Sequence, residues 1–506
     1  MGKIIAKFKE FFAAKSDDNL YRLDGAVPLS KAIPFGIQHV LSMFVANIAP
    51  LLIVFTIATA HSGMEPELIQ TITKNGIRSA IFIAGLGTII QLYPIGGKVG
   101  AKLPIVVGLS FTFVGVLGLV GASYGLSTMF LSIIVGGILI GVLGLFAKYW
   151  RKFIKPVVSA CVVLGIGLSL LAVGVKEFFG YEDLTAAWQG PGTFVYSFWD
   201  SWPYLVVAGS ALLSSILFQI FVPGVWKNIN ILVGLVVGYL VALCFPGMIN
   251  FSGIHFNSFT DFIDVPRPIF TLLPFSWGDF NFGAIAVTFL IYLVASTEGI
   301  GDLSSLASAG LGRDPEDSEI AGGLAADGFN SALAGCFGAL PLTTFSQNVG
   351  IVGQTKVVNR FTIFQGALLL IIVSFFPFLA SFLMTIPNAV LGGCMVALFA
   401  SIVVIGMQML SQCGWTKKNI LIASLTIGIG FGITIIPETG IISQDPTLPE
   451  GVRFLSLIFS NPVANMFLLS LLLSYVIPER INGPKGSVEG VVDEPPEATD
   501  EEKENK

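Results

Sequence analysis

Leu103-Pro104-Ile105-Val106-Val107-Gly108-Leu109-Ser110-Phe111-Thr112-Phe113-Val114-Gly115 and Leu340-Pro341-Leu342-Thr343-Thr344-Phe345-Ser346-Gln347-Asn348-Val349-Gly350 are the two stretches on which the fold turns. Both open Leu-Pro, set Ser or Thr beside Phe, and close Val-Gly. Proline with β-branched and aromatic residues favours an extended entry, and glycine permits a break. A helix needs about 20 residues to cross the hydrocarbon. The second stretch, continued to Thr355, is too short and too polar to cross as one helix. Irregular backbone survives at membrane depth only where it lines a cavity or is buried in protein.

The surrounding chain is oily. Of 506 residues, 54% are hydrophobic and 12% charged, and the mean hydropathy is +0.82. A soluble domain is about 45–50% apolar and about 25% charged. That excludes a soluble enzyme and a disordered chain, and the lack of basic excess excludes a nucleic-acid binder. The net charge of -5 belongs to the tail, where residues 479–506 hold nine acids and four bases. Five scattered cysteines, without a CxxC pair, read as packing residues rather than a disulfide framework or a zinc site.

Apolar runs lie near 33–57, 76–94, 103–121, 127–147, 156–175, 203–222 and 229–248. After a long loop come 281–303, 319–340, 342–355, 361–384, 389–410, 418–436 and 454–477. With a cytoplasmic N-terminus and strict alternation, 22 of the 27 Lys and Arg fall inside, as the positive-inside rule asks. Both termini are therefore expected in the cytoplasm. Fourteen segments divide into two repeats of seven, and an odd repeat must be inverted. The two quoted stretches are then the third segment of each half. Inverted repeats with interrupted helices are a transporter plan, with the site at the repeat interface. The fold class expected is an all-α polytopic membrane protein of 14 transmembrane segments in a 7+7 inverted repeat. Segments 3 and 10 are expected to open on extended backbone and to break at glycine. Residues 1–30 form a basic cytoplasmic segment, read either as a surface-lying amphipathic helix or as a frayed terminus. Residues 479–506 read as a disordered acidic tail.

Ionisable and amide side chains inside a span are costly and need a reason. Glu298 and Asp302, at i and i+4, share one helical face. Asp327 lies in the ninth run, Gln38-His39 in the first, and Gln347-Asn348 in the tenth. An amide such as Gln38 also serves as interhelical glue, His39 as a packed histidine and Asp302 as a solvated helix end. Glu298, Asp327, Gln347 and Asn348 together, with no deeply placed Lys or Arg to neutralise the acids, imply protonation or a bound ligand. No metal-binding cluster, Gly-Lys-Ser/Thr phosphate loop or HExxH motif occurs, so a membrane-embedded metalloenzyme or an ATP-driven pump is not supported.

Gln347-Asn348-Val349-Gly350-Ile351-Val352-Gly353-Gln354-Thr355-Lys356 resembles the signature of the nucleobase–ascorbate transporter family, Gln/Glu-Asn-x-Gly-x4-Thr-Arg/Lys/Gly. Gly350, Thr355 and Lys356 meet its fixed positions. The resemblance extends to Gln38-His39, Glu298, Asp302, Asp327 and the Pro387–Gly393 stretch, and covers residues 31–478. It implies a core domain of segments 1–4 and 8–11 (31–150 and 277–385), with short strand and half-helix breaks in segments 3 and 10. A gate domain takes segments 5–7 and 12–14 (151–276 and 386–478). It implies nucleobase uptake coupled to a proton, with the core moving elevator fashion against the gate, within a homodimer in the plasma membrane. Glu298 and Gln347 would hold the base, and Ser110, Phe111, Phe345 and Ser346 would line its pocket. His39, Asp302, Asp327 and Asn348 would organise the site and its coupling. No cofactor is implied beyond the co-transported proton.

The residue chemistry suits that role. A carboxylate accepts two ring N–H bonds, and an amide donates to a carbonyl while accepting from the adjacent N–H. Phenylalanines stack on a flat ring, and a half-helix N-terminus adds backbone donors. Uracil transporters of the family carry Glu where this chain has Gln347, which favours xanthine or uric acid. A uracil importer and an anion exchanger or channel sharing the fold are the competing expectations.

Overall fold

The computed structural model describes residues 16–60, 62–180, 198–251, 262–435 and 449–482. Residues 1–15 of the basic N-terminal segment 1–30, read as a surface helix or a frayed terminus, and the tail beyond residue 482 lie outside them. Asp17–Tyr21 forms a 3-10 turn capped by Ser16. It is clamped from the side by Asn359, whose Nδ2 donates to the carbonyls of Asn19, Arg22 and Gly25 at 2.9, 3.2 and 3.0 Å. The start of the acidic tail is also anchored: Glu479 accepts a hydrogen bond from Lys418 Nζ at 2.9 Å.

The described residues are mostly helical. The first half holds α1 (Leu29–Thr59), α2 (Pro66–Leu92), strand β1 (Val107–Leu109), α3 (Val114–Tyr124), α4 (Leu126–Leu145), α5 (Pro156–Phe178), α6 (Phe198–Phe221) and α7 (Asn230–Ala242). The second holds α8 (Phe282–Leu311), α9 (Asp317–Cys336), strand β2 (Leu342–Thr344), α10 (Ser346–Thr355), α11 (Arg360–Ser374), α12 (Pro377–Leu383), α13 (Asn388–Gln412), α14 (Lys417–Leu425), α15 (Glu450–Phe459) and α16 (Pro462–Val476).

Among the described residues, seven helices are long and apolar enough to cross a membrane, and the pair α11 and α12, bent by 88°, makes an eighth when counted as one broken span. The bend falls where Pro377 removes a donor and opens a new helix. The run near 418–436 does not stay α-helical either: α14 passes into a π-helical turn, Thr426–Phe431. The last run divides at Asn461, whose side chain caps α16 by accepting from Ala464 N.

Packing falls into two groups. One gathers α4 on α9, α11 on α1 and α2, α3 on α1, and α8 on α4 and α10. The other gathers α13 on α5 and α6, α7 on α6, and α16 on α5. Small residues permit the close crossings. A Cβ on Gly328 of α9 would stand 2.3 Å from the backbone N of Gly141 on α4, so no larger residue fits there.

The two interrupted segments meet. β1 and β2 pair antiparallel, with Val107 opposite Thr344, Gly108 opposite Thr343 and Leu109 opposite Leu342. The pairing continues past both ends: Ser110 N donates to Pro341 O at 2.8 Å, and Phe345 N donates to Val106 O at 3.0 Å. A two-stranded ribbon leaves outward backbone groups that must be satisfied away from water. Side chains do this. Val107 N donates to Thr88 Oγ1 (3.1 Å), Leu109 N to Asn47 Oδ1 (2.9 Å) and Leu342 N to Ser331 Oγ (2.9 Å).

Candidate ligand cleft

The ribbon ends at the mouths of two short helices, and its residues form one wall of a cleft of about 560 Å³ counted to its open mouth. Ser110, Phe111, Thr343, Thr344, Phe345, Ser346 and Gln347 contribute from the ribbon and its flanks, and Glu298 from α8. The opposite wall is apolar: Val163 and Ile166 of α5, with Ile402 and Ile405 of α13, beside the hydroxyl-bearing Ser401. The cleft therefore lies between the two helix groups.

Glu298 Oε2 accepts a hydrogen bond from Thr112 Oγ1 at 2.8 Å. One turn further along α8, both oxygens of Asp302 accept from Ser346 Oγ, at 2.8 and 2.9 Å. The shared face read from the i, i+4 spacing is real, and it ties α8 to the first residue of α10. Asn348 Nδ2 lies 2.9 Å from His39 Nδ1 and donates to the His39 carbonyl at 3.1 Å, which fastens α10 to α1. Asp327 Oδ1 accepts from Gln91 Nε2 at 2.7 Å. The same amide donates to Gly323 O (3.0 Å) and accepts from Ala101 N (2.9 Å). Each of the three carboxyl groups is thus met by a neutral side chain.

Several buried polar atoms have no hydrogen-bond partner. Four of them, Ser110 Oγ, Thr343 Oγ1, Thr344 Oγ1 and Gln347 Oε1, belong to residues that line this one cleft. Burying such a group unpaired costs about 1–3 kcal/mol, so their grouping marks a surface built to meet a polar ligand. Two aromatic rings flank it. Phe111 packs edge-on against Phe399 of α13, with centroids 5.1 Å apart. Phe345 lies over Gly108, where any Cβ would fall 1.9 Å from the ring's Cε2. Glycine at that position is what lets the ring approach the ribbon.

The structure thus brings Glu298, Gln347, Ser110, Phe111, Phe345 and Ser346 to one cleft. Asp302, His39 and Asn348 hold α10 from behind. Asp327 does not line the cleft; it borders a separate small void. The signature's remaining positions sit apart. Gly350 is exposed. Thr355 and Lys356 end α10: Thr355 Oγ1 accepts from Val357 N at 3.2 Å, and Lys356, left-handed at φ 59°, donates from Nζ to Ala309 O at 2.6 Å. Their geometry is that of a helix stop packed on α8. Asn47, Thr88, Gln91, Thr112 and Ser331 were not singled out from the sequence. The rule that flagged Gln38, an amide inside an apolar run, applies equally to Asn47 and Gln91. Nothing in the sequence distinguishes the hydroxyls.

Residues 30–439 match the family described as the Permease family. The xanthine permease XanQ of Escherichia coli strain K12 is 32% identical over 476 residues, covering 91% of this chain and 94% of its own. The uric acid permease PucK of Bacillus subtilis strain 168 is 30% identical over 404 residues, covering 79% and 87%. These relatives are permeases, not enzymes. Among solved structures, the murine Slc26a9 anion transporter in the inward-facing state superposes with a TM-score of 0.52 at 15% identity, covering 87% of this chain and 68% of that one. At that identity the likeness speaks to the fold alone.

Proposed function

The chain belongs to the nucleobase–ascorbate transporter family, and on that premise we propose that it imports an oxidised purine, xanthine or uric acid, by proton symport. It is a multi-pass membrane permease for nucleobase-type substrates. The observation that carries the finer reading is the set of four partnerless polar atoms, Ser110 Oγ, Thr343 Oγ1, Thr344 Oγ1 and Gln347 Oε1, on the cleft that Glu298 also lines. A planar heterocycle with alternating N–H donors and carbonyl acceptors supplies what each lacks. Glu298 accepts ring N–H groups, Gln347 bonds a carbonyl and its neighbouring N–H, and the hydroxyls serve either sense. Phe111 and Phe345 provide the apolar faces against which such a ring stacks.

Transport follows from where the cleft lies. We take α1–α4 with α8–α12 as a core carrying the ligand, and α5–α7 with α13–α16 as the gate whose apolar wall seals it. Fourteen spans in a 7+7 inverted repeat are supported by the antiparallel pairing of the third segment of one half with the third of the other. The core would slide against the gate, elevator fashion, because the polar groups lie almost wholly on one side. A smooth apolar wall resists such a slide less than a polar one. Proton coupling is supported by three carboxyl groups, Glu298, Asp302 and Asp327, each met by a neutral partner and able to exist protonated. The homodimer, the plasma membrane and the cytoplasmic termini rest on the family resemblance and on the distribution of basic residues.

Competition uptake in cells with xanthine, uric acid, uracil and sulfate tests the reading. Xanthine or uric acid should be taken up, and E298Q should abolish uptake at unchanged membrane abundance. Uptake of uracil alone would move the substrate to a pyrimidine. Uptake of sulfate alone would make the protein an anion transporter.

A further inference from the structure

Beside strand β2 lies a void of about 10 Å³ bordered by Asp327, Tyr292, Ser296 and Thr343. That is room for one water, and a buried water needs two to four polar partners. They are present. Asp327 keeps one carboxyl oxygen in its bond to Gln91, and its Oδ2 faces α8, 3.6 Å from where a Cβ on Gly299 would stand. Ser296 Oγ donates to Tyr292 O at 2.9 Å and so retains acceptor capacity toward the void. Thr343 Oγ1 is buried and makes no hydrogen bond among the described residues. Thr343 also lines the ligand cleft, and among the described residues no other borders both spaces. A hydroxyl both donates and accepts, so it can join a hydrogen-bond chain in the void to one in the cleft.

We propose that a water held between Asp327 and Thr343 forms a proton relay, and that the Thr343 hydroxyl is the gate through which it reaches the ligand cleft. The inference rests on the proton-symport reading and deepens it. The transfer balances without any other reactant. A protonated Asp327 carboxyl gives its proton to the water, and the water passes one of its own to Thr343 Oγ1. The hydroxyl's original proton then moves to the acceptor in the cleft, Glu298 or the bound base. Water and hydroxyl end unchanged, and one proton has crossed from the void to the cleft. The groups around Asp327 are Gln91 from α2, Ile140 from α4, Thr343 from β2 and, from α8, Tyr292, Ser296 and the nearby carboxyl groups of Glu298 and Asp302. No cation stands among them to hold the proton back.

The Thr343 hydroxyl carries the proton itself and also faces the ligand cleft, so its test separates coupling from binding. Reconstituted protein is assayed for concentrative, proton-driven nucleobase uptake and for nucleobase-for-nucleobase exchange, which requires no net proton movement. For T343V, the ratio of concentrative uptake to exchange should fall about tenfold or more, the scale of a lost positioned proton transfer. T343S, which keeps the hydroxyl, should keep the ratio. A295V provides an independent arm. Ala295 borders the void but not the cleft, so its added methyls should lower the ratio while exchange stays unchanged. A wild-type ratio in T343V or in A295V, or a T343S defect equal to that of T343V, overturns the relay. Wild-type protein that takes up no nucleobase refutes the proposed function instead.

Discussion

Gly108 is where one methyl group tests the architecture of the cleft. It stands opposite Thr343 in the ribbon. An alanine Cβ there would lie 1.9 Å from Phe345 Cε2, 2.7 Å from its Cδ2 and 2.7 Å from Asn47 Oδ1. Ordinary contact begins near 3.4 Å, so the ring edge must retreat by 3.4 less 1.9, about 1.5 Å. The Asn47 amide, which holds the N–H of Leu109, is pressed at the same time. Forcing a methyl into a packed interior costs about 1–3 kcal/mol. A ring displaced that far loses its stacking on the ligand, worth about 0.5–1.5 kcal/mol. The second figure corresponds to about a two- to twelvefold rise in the nucleobase Kd. G108A should therefore melt lower than wild type and bind more weakly, measured by thermal unfolding and equilibrium binding on purified protein. G108A/F345A should recover part of the melting temperature, because the collision partner is gone, without recovering affinity. A G108A protein with wild-type Kd and wild-type melting temperature would show that the Phe345 ring does not lie over the ribbon, and the site geometry would fall with it.

Two further outcomes follow from the same contacts. Q91L removes three hydrogen bonds at near-constant volume, and each buried group left unpaired costs about 1–3 kcal/mol; denaturant unfolding should show the loss, and an unchanged midpoint would mean that Gln91 does not hold Asp327. At the start of the acidic tail, the hydrogen bond and charge of Lys418, with Lys155 nearby, hold the Glu479 carboxyl below the usual range. A carboxyl depressed in the folded state stabilises it above the unfolded pKa, and that stabilisation disappears as the pH falls through the folded pKa. The melting temperature of E479Q should thus lie below wild type near neutral pH and converge with it in acid; a gap that persists or widens in acid would contradict the assignment.

The residues with chemistry were largely legible because a membrane interior makes polarity conspicuous. Glu298, Asp302, Asp327, Gln347 and His39 stand out against apolar neighbours, and the i, i+4 spacing of the two acids on α8 fixed their shared face in advance. The paired stretches beginning Leu103-Pro104 and Leu340-Pro341 announced broken segments, and the strands appear where those stretches predicted them. Hydropathy spoke less well for continuity: it could not show that α11 turns 88° into α12, or that α14 slackens into a π-turn. An apolar run reports what its surroundings must be, not whether its hydrogen-bond ladder stays unbroken.

Composition and periodicity, then, settled that this chain lives in lipid, and its few polar residues settled which segments matter. Only the tertiary structure decided that the two broken segments pair with each other. Strand pairing joins residues more than two hundred positions apart, and no local propensity encodes a partner at that distance. It was likewise the folded chain that separated Asp327 from the cleft, engaged Ser346 with Asp302, and left Thr343 bordering two spaces at once. Which groups are satisfied and which remain open is a property of packing, because a hydroxyl reads the same in sequence whether its partner is a neighbour, a water or a ligand.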